Sequence, residues 1–317
     1  MQDTPALTEL PLRGLDWDAW LDRIGDAVDD VGYVERLGTD HAAILAEDKP
    51  VLLVTFETHE RLPGDARPVG WQLAEALGWS HLCVVSHGDT WFRAGRVYGF
   101  FDRLIDDGFF EDFEQVIFYG AGPCGYAAAA FSVAAPGARV LALQPHATLD
   151  PRMAEWDDRF LHMRRTAFDD RYGYAPDMLD AAERAFVLYD PESRLDAMHA
   201  ALFARPNVTR FRIRHLGATP EADLLRMQVL YRMLARLSAG KLSGLGLAEL
   251  YRARRSDIPY LKTLLARVEQ RGSPYLTAKL AQYVMRWRAG PRFRRALRQA
   301  YETAEAHGLP MPSREFS

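Results

Sequence analysis

The stretch that decides the fold is VIFYGAGPCGYAAAA, residues 116–130. It begins as an unbroken apolar run, which is typical of a buried strand in a parallel sheet. Three glycines within the next few residues mark a sharp turn. A run of four alanines follows and favours a helix, and its small side chains allow that helix to pack closely on the sheet. The order of strand, glycine turn and helix predicts that Gly122 lies at the carboxyl end of a buried strand.

Short apolar runs alternate with amphipathic stretches on both sides of this segment. The pattern predicts strands at 50–56, 81–86, 115–119, 138–143, 185–189 and 208–213, and helices at 71–77, 96–107 and 125–133. Strands that are separated by helices imply right-handed crossovers and a sheet covered on both faces. The predicted fold class is therefore α/β, with a doubly wound, mostly parallel sheet.

The same patterns predict three regions along the chain. Apolar residues recur at helical spacing within 15–45, so 1–45 is expected to form an N-terminal helical segment. The α/β domain is expected to span 46–223. Within it, 148–184 carries no strand pattern and is expected to be a cap-like insertion above the carboxyl ends of the strands. Residues 224–317 are expected to form an all-helical C-terminal region.

The glycine turn resembles the nucleophile elbow of α/β-hydrolases, where a strand, Gly-x-Ser-x-Gly and a helix follow one another. In that pattern Gly120 and Cys124 take the flanking small positions, and Gly122 takes the position of the nucleophile. Glycine adopts the strained elbow conformation without steric cost, so the turn is expected to persist without the hydroxyl. Pro123 has no N–H, whereas the family uses this amide in its oxyanion hole. Gly125 completes the turn.

The resemblance also implies where the other two triad residues would lie. The family order is nucleophile, acid, histidine. Asp190 ends the fifth predicted strand and takes the place of the acid, with Glu192 or Asp196 as alternatives. Where the family shows a Gly-His pair, this chain has glycine followed by Ala218, and His215 lies three residues early. The resemblance therefore implies a degenerate member that lacks the nucleophile Ser and the catalytic His, in which Asp190 serves as a cap or turn residue.

The glycine turn is also compatible with other kinds of site. Cys124 would lie in the first turn of a helix, where the dipole lowers a thiol pKa, and His87 or His146 could act as its base. That arrangement would give a cysteine hydrolase or acyl transferase, and a buried packing role for Cys124 is the alternative. The turn also spells Gly-x-Gly-x-x-Gly, but Pro123 removes an amide from a phosphate cradle. The histidines show no metal-ligand spacing, so neither a cofactor nor a metal is expected.

A loop-like stretch after the second predicted strand offers groups for ligand binding. His87, Asp89, Trp91 and Arg93 lie in it, and they are expected to face a cleft beside Tyr126. Aromatic and guanidinium groups suit a sugar or an anionic small molecule. The sequence therefore predicts a non-catalytic hydrolase-like protein that acts in ligand binding or assembly. A link to glycan or cell-surface modification rests on analogy with hydrolase-like accessory proteins of glycan export.

Charge is distributed unevenly along the chain. From residue 251 onward there are fourteen Lys and Arg against five Asp and Glu, which leaves twenty-five against thirty-eight in the rest. A third hypothesis is therefore an adaptor that docks an acidic protein partner. The docking residues would be Arg286, Arg288, Arg292, Arg294, Arg295 and Arg298. No nucleic-acid partner is expected, because the rest of the chain is acidic.

Cysteine content and hydropathy bound the cellular context. Two cysteines are too few for a disulfide framework. The first residues have no apolar segment typical of a signal peptide, and no apolar run reaches the length of a membrane span. A cytoplasmic location is the resulting expectation.

Overall fold

In the computed structural model, which describes residues 11–217, 219–288 and 290–313, eight strands form one sheet. The strands are β1 (Gly32–Arg36), β2 (His41–Ala46), β3 (Val51–Thr58), β4 (Ser80–Ser86), β5 (Gln115–Ala121), β6 (Arg139–Leu143), β7 (Arg184–Tyr189) and β8 (Val208–Arg212). They lie side by side in the order β1-β2-β4-β3-β5-β6-β7-β8. β2 runs antiparallel to both of its neighbours, and all other neighbouring strands are parallel. The predicted doubly wound, mostly parallel sheet is confirmed.

Helices cover both faces of this sheet. They are α1 (Trp17–Val28), α2 (Trp71–Leu77), α3 (Gly95–Asp106), α4 (Pro123–Phe131), α5 (Pro151–Ala154), α6 (Ala175–Met178), α7 (Arg194–Leu202), α8 (Pro220–Arg226), α9 (Leu230–Ser238) and α10 (Gly244–Tyr251). Successive side chains of a strand point to opposite faces. Leu82 of β4 belongs to an apolar cluster with Phe101 and Phe131, whereas Cys83 belongs to one with Trp20. The continuous apolar runs of the strands reflect this double burial.

The strand order creates one crevice that matters for function. β4 lies on one side of β3 and β5 on the other, so the chain changes direction across the sheet between them. In open α/β sheets, ligands bind outside the carboxyl ends of the strands at such a switch point. The glycine turn after β5 lies at this end of the sheet.

The prediction of a helix over 15–45 is wrong beyond α1. β1 and β2 form an antiparallel hairpin, with Gly32 opposite Ala46 and Arg36 opposite Ala42. Residues 42–45 are all buried, a pattern that a strand covered on both faces produces and that a short window cannot distinguish from a buried helix. A turn with Gly38 at φ +91° joins the two strands, and this glycine was the signal that the helical interpretation missed.

The first helices after β8 also differ from the prediction. The chain divides into two compact units, Met1–Leu250 and Tyr251–Ser317. α8 to α10 thus belong to the unit that holds the sheet, rather than to a helical region that starts at 224. α9 packs against β5 and β6 through the buried Leu230, Met233, Leu234 and Leu237. The predicted single helix over 224–237 breaks at Gln228, whose φ is +56°.

The second unit is helical, as predicted. It contains α11 (Ile258–Gln270), α12 (Pro274–Met285) and α13 (Pro291–Ala306). Each begins with proline in its first turn, a position where the missing N–H costs nothing. Asp257 caps α11 by accepting from the Tyr260 amide at 2.9 Å.

Candidate functional site

The glycine turn between β5 and α4 has the geometry of an elbow. Gly122 adopts φ 60° and ψ −124°, a combination that side chains resist, and Pro123 opens α4. A Cβ at Gly120 would lie 2.1 Å from the Cys124 carbonyl oxygen, and one at Gly125 would lie 2.9 Å from the Leu143 oxygen. Close backbone approach therefore requires glycine at both positions. Strand, elbow and helix follow in the order that α/β-hydrolases use.

Gly122 has no side chain and Pro123 has no backbone N–H, at the two positions where the family pattern has its nucleophile and its oxyanion donor. A Cβ at Gly122 would meet no atom within 4 Å, so a side chain would project into open space. The Gly122 amide donates to the Leu143 carbonyl at 2.8 Å and is therefore engaged. Pro123 has no N–H to donate. Losing one oxyanion donor costs acyl-transfer enzymes about 3–4 kcal/mol of transition-state stabilisation.

A cavity of about 350 Å³ lies over the elbow. Its walls come from the carboxyl ends of β3 and β5, from Gln144 after β6, and from the start of α8. The lining residues are Phe56, Glu57, Thr58, Arg61, Ala121, Gly122, Cys124, Gln144, Thr219, Pro220, Glu221 and Ala222. The cavity thus occupies the switch point of the sheet, where a ligand is expected in this class of fold.

Cys124 also lines this cavity. Its side chain is buried, and its Sγ lies 3.6 Å from Thr58 Oγ1. Burial raises the pKa of the thiol above its usual value, and the carboxylates of Glu57 and Glu221 raise it further. The hydrogen bond with Thr58 acts in the opposite direction and does not compensate. Desolvation and nearby negative charge therefore favour the neutral thiol, which agrees with the packing role that the sequence left open for Cys124.

Two carboxyl groups line the same cavity: Glu57 is buried and Glu221 is half-buried. Glu57 ends β3, and its Oε1 accepts a hydrogen bond from the Val69 amide at 2.8 Å. Glu221 lies at the start of α8, and its Oε1 accepts from the hydroxyl of the fully buried Tyr119 at 2.5 Å. Burial raises the pKa of both carboxyls, and the charge of Glu221 raises the pKa of Glu57 further. The pair therefore holds protons more tightly than isolated glutamates do.

The two remaining triad candidates lie outside the cavity lining. Asp190 is buried and accepts from the backbone amides of Glu192 at 3.0 Å and of His215 at 2.9 Å. His215 places its Nδ1 3.1 Å from the Glu192 carboxylate. Asp190 therefore closes the turn after β7, which is the capping role that the sequence allowed. Ala218, which stands in the family's histidine position, lies outside the described residues.

His146 belongs to a second buried network behind the elbow. His199 Nδ1 accepts from the Ala147 amide at 3.1 Å, so its Nε2 carries the proton that binds Asp157 at 2.8 Å. Arg159 bridges the group: its Nη2 lies 2.7 Å from Asp157 and 3.1 Å from His146 Nε2. Burial, then the charges of His199 and Arg159, lower the pKa of His146 well below its usual value. Burial also lowers the pKa of His199, so both imidazoles favour the neutral form.

Asp196 links this network to the cavity. It accepts from Arg159 at 2.6 Å and from the Gln144 amide at 3.2 Å. The sequence offered Asp196 as an alternative for the acid of the triad, but its two oxygens accept from the Arg159 guanidinium and the Gln144 side-chain amide. The network thus orders the floor of the cavity through Gln144.

Two groups bring possible metal-ligating atoms within 4.8 Å of one another: His59, Glu60 and His87, and His146, Asp157 and His199. In the buried group Arg159 already hydrogen bonds two of the three side chains, and its fixed charge opposes a dication at the same place. In the surface group His87 Nδ1 lies 2.7 Å from the Glu60 carboxylate. In both groups, some of these atoms already contact other protein groups.

Three of the expected ligand-binding side chains hold the insertion in place. The Arg93 side chain is 1% exposed, and it donates to the backbone oxygens of Ala167 and Arg171, to Asp170 and to the Tyr126 hydroxyl. Tyr126 in turn donates to the Tyr172 carbonyl at 2.6 Å. Trp91 is fully buried at φ +57°, against His146 and Phe160. These side chains therefore join the insertion to α4 and are absent from the described lining of the cavity.

The other two expected ligand groups lie near the surface. His87 stacks on Trp17 with ring centroids 5.4 Å apart. Asp89 accepts from His162 Nε2 at 2.9 Å, so it too contacts the insertion. Neither residue lines the described cavity.

The arginines expected to dock a partner differ in their surroundings. Arg292 is partly buried and forms a two-point ion pair with Glu269. Arg298 lies 3.9 Å from Glu302 one turn later. The five besides Arg292 are exposed. Arg294, Arg295 and Arg298 lie on the face of α13 opposite the buried Phe293 and Leu297.

No protein-family model and no curated protein matches the chain. Solved structures that resemble it include an esterase from Pyrobaculum calidifontis, at 14% identity and TM-score 0.44 over 73% of this chain and 93% of that one. A second is the alpha/beta hydrolase domain-containing protein 10 from mouse, at 12% identity and TM-score 0.42 over 67% and 99%. A third is the Glycosylation Associate Protein (Gap123) complex from Streptococcus agalactiae, at 11% identity and TM-score 0.40 over 65% and 46%. Likeness at this level assigns no activity.

Sequence reasoning missed the residues that give the cavity its charge. Glu57 directly follows the predicted strand 50–56, and a carboxyl at the end of a buried parallel strand was a usable signal. Glu221 follows Pro220 at a helix start, where an acidic residue is common and unremarkable. Its contact with Tyr119 joins residues 102 positions apart, and no local pattern predicts such a contact.

Among the described helices, none combines the length and apolar character needed to span a membrane.

Proposed function

We propose that this chain is a ligand-binding protein on a hydrolase-type scaffold and that it has no serine- or cysteine-type hydrolase activity. The observation that carries the proposal is the elbow itself. Gly122 keeps the strained turn but has no hydroxyl at the position of the family's serine. Pro123 has no N–H at the position of the family's oxyanion donor. Glycine and proline at these two positions supply neither a nucleophilic side chain nor an oxyanion donor.

The surroundings of the elbow support the same conclusion. Covalent catalysis needs a nucleophile within hydrogen-bond reach of a base, which a third group orients. Cys124 instead contacts Thr58 and has a raised pKa. Asp190 is engaged by backbone amides, and His146 by Arg159. The rival function, a hydrolase or acyl transferase that uses Cys124, therefore lacks an activated thiolate.

The cavity over the elbow supports binding. Two other hollows of the first unit are larger, at about 560 and 570 Å³, but the carboxyl ends of the strands do not line them. The elbow cavity combines apolar walls with a few polar groups, as small-molecule sites do. Association with glycan or cell-surface modification stays a prediction, as does a cytoplasmic location.

Hydrolysis of p-nitrophenyl acetate by the full chain tests the non-catalytic half of the proposal. We expect the same slow release of p-nitrophenol from the wild type, from Cys124→Ala and from Cys83→Ala, because neither thiol is activated. Turnover that disappears in Cys124→Ala and persists in Cys83→Ala would refute it.

A second candidate function is the adaptor that docks an acidic partner. The exposed arginine face of α13 favours it, because Arg294 and Arg295 point away from the buried side of the helix. Binding to poly-glutamate should weaken steeply with added salt and should drop in the Arg294→Gln, Arg295→Gln double variant. Arg252→Gln, Arg254→Gln provides a control with the same loss of charge elsewhere in this unit. Equal loss in both variants would indicate a charge effect without a docking face.

A further inference from the structure

The cavity over the elbow holds a charge arrangement that the loss of hydrolase chemistry does not explain. Glu57 is buried at the end of β3, and Glu221 is half-buried at the start of α8. Within the described ranges, neither forms an ion pair with Lys, Arg or His. Buried carboxyls are costly unless a cation or several hydrogen bonds compensate for their desolvation. The two groups therefore leave a place for positive charge.

The hydrogen-bond inventory shows how much capacity remains. Each ionised carboxylate can accept about four hydrogen bonds. The Val69 amide and the Thr55 hydroxyl bind Glu57, and the Tyr119 hydroxyl binds one oxygen of Glu221. These contacts fix the orientation of both groups and leave most of their acceptor positions open to further donors. An ammonium group supplies three donors and one positive charge.

We propose that this cavity binds a small organic amine in its protonated form, held between Glu57 and Glu221, with Arg61 facing an anionic group of the same ligand. The inference rests on the proposed binding function and names its ligand class. Arg61 is the only cation among the described lining residues, and its side chain is exposed. A ligand with an amine at one end and an acidic group at the other matches both charges.

The walls favour an organic ligand over a bare metal ion. Phe56, Ala121, Pro220 and Ala222 contribute apolar surface to a space of about 350 Å³. Calcium takes six to eight oxygen ligands and magnesium keeps a near-octahedral shell. Three protein donors already bind these two carboxyls. An aliphatic amine uses both the apolar walls and the acceptor positions that remain.

The binding of four small probes of similar size tests the inference: 4-aminobutyrate, butylamine, butyrate and 1-butanol. Ligand-observed NMR with the full chain at pH 7.5 would report the affinities. We expect 4-aminobutyrate and butylamine to bind saturably, and butyrate and 1-butanol to bind at least tenfold more weakly, which corresponds to about 1.4 kcal/mol. Arg61→Gln should weaken 4-aminobutyrate and leave butylamine unchanged.

Two variants separate the carboxyl contact from a folding defect. Glu221→Gln should weaken butylamine at least tenfold, and Glu75→Gln, the same change on the exposed face of α2, should not. Circular dichroism would check that both fold, and Ala222→Leu, which narrows the cavity, should also weaken butylamine. Equal binding of butylamine and 1-butanol would overturn the inference and leave a binding cavity of another specificity. Binding of none of the four probes would also overturn the inference. The proposed function fails separately: either the ester assay shows turnover that depends on Cys124, or the protein binds no ligand of any class.

Discussion

Alanine at Gly120 and alanine at Gly122 should destabilise the protein by different mechanisms and by different amounts. At Gly120 a Cβ would lie 2.1 Å from the Cys124 carbonyl oxygen and 2.4 Å from its carbon. Ordinary contact begins near 3.4 Å, so the first turn of α4 would have to lift from β5 by about 1 Å. Overpacking of a core usually costs about 1–3 kcal/mol, and we expect more than 3 kcal/mol here because both clashing atoms are backbone.

At Gly122 the added methyl group meets no atom within 4 Å. The cost is then the backbone conformation alone, φ 60° and ψ −124°, which is about 1–3 kcal/mol for a residue other than glycine. Gly64 serves as the control, because a Cβ there meets nothing and its φ is not left-handed. Gly64→Ala should change the free energy of unfolding by less than about 1 kcal/mol, in the stabilising direction.

Urea unfolding followed by tryptophan fluorescence would measure these differences. The expected order of stability is Gly64→Ala, then Gly122→Ala, then Gly120→Ala. A Gly120→Ala variant as stable as Gly64→Ala would refute the close approach of α4 to β5. A Gly122→Ala variant less stable than Gly120→Ala would refute the open space above the elbow.

Two further predictions concern the buried charges. Burial raises the pKa of Glu221 in the folded protein. Its contribution to stability is therefore present below pH 4.5 and is lost as pH rises through the pKa of the folded state. Glu221→Gln should flatten this decline. Unfolding free energies from pH 5 to 9 would show it, at a slope of about 1.4 kcal/mol per pH unit for each retained proton. Burial raises the pKa of Asp157, but hydrogen bonds from His199 and Arg159 lower it overall, so its contribution is lost as pH falls below 3.8. Asp157→Asn removes a carboxylate that binds Arg159. Because Arg159 keeps part of its hydration, we expect a loss of about 3 kcal/mol at pH 7, the low end for a broken ion pair. A free energy of unfolding in urea equal to that of the wild type would contradict that network.

The sheet could be predicted from sequence because its strands carry a local signal. β3 to β7 are buried on both faces, and each appears as a short apolar run bounded by helical patterns. The hairpin of β1 and β2 could not be predicted in the same way. Its buried run HAAILA is rich in alanine, which favours a helix when no partner strand is in view.

The candidate site was predictable only where the backbone determines it. The glycine spacing at 120, 122 and 125 follows from close approach and a strained turn, both of which leave a trace in the sequence. The ionisation of Cys124 depends first on its burial and then on Glu57 and Glu221, which reach it from distant parts of the chain. The sequence left an activated thiol and a buried packing residue as alternatives, because it does not show these contacts. Likewise, the polar groups of Arg93 and Tyr126 bind the insertion, and only the folded chain shows that they are engaged.

The alkylation rate of Cys124 as a function of pH tests the central claim most directly, in the full chain with Cys83→Ser. Iodoacetamide reacts with the thiolate, so the midpoint of the rate profile reports the pKa of the thiol. The account predicts slow reaction through neutral pH and a midpoint above the usual value, because burial and two carboxyl groups disfavour the thiolate. Rapid alkylation with a midpoint well below about 8.5 would contradict it and would indicate a cysteine enzyme.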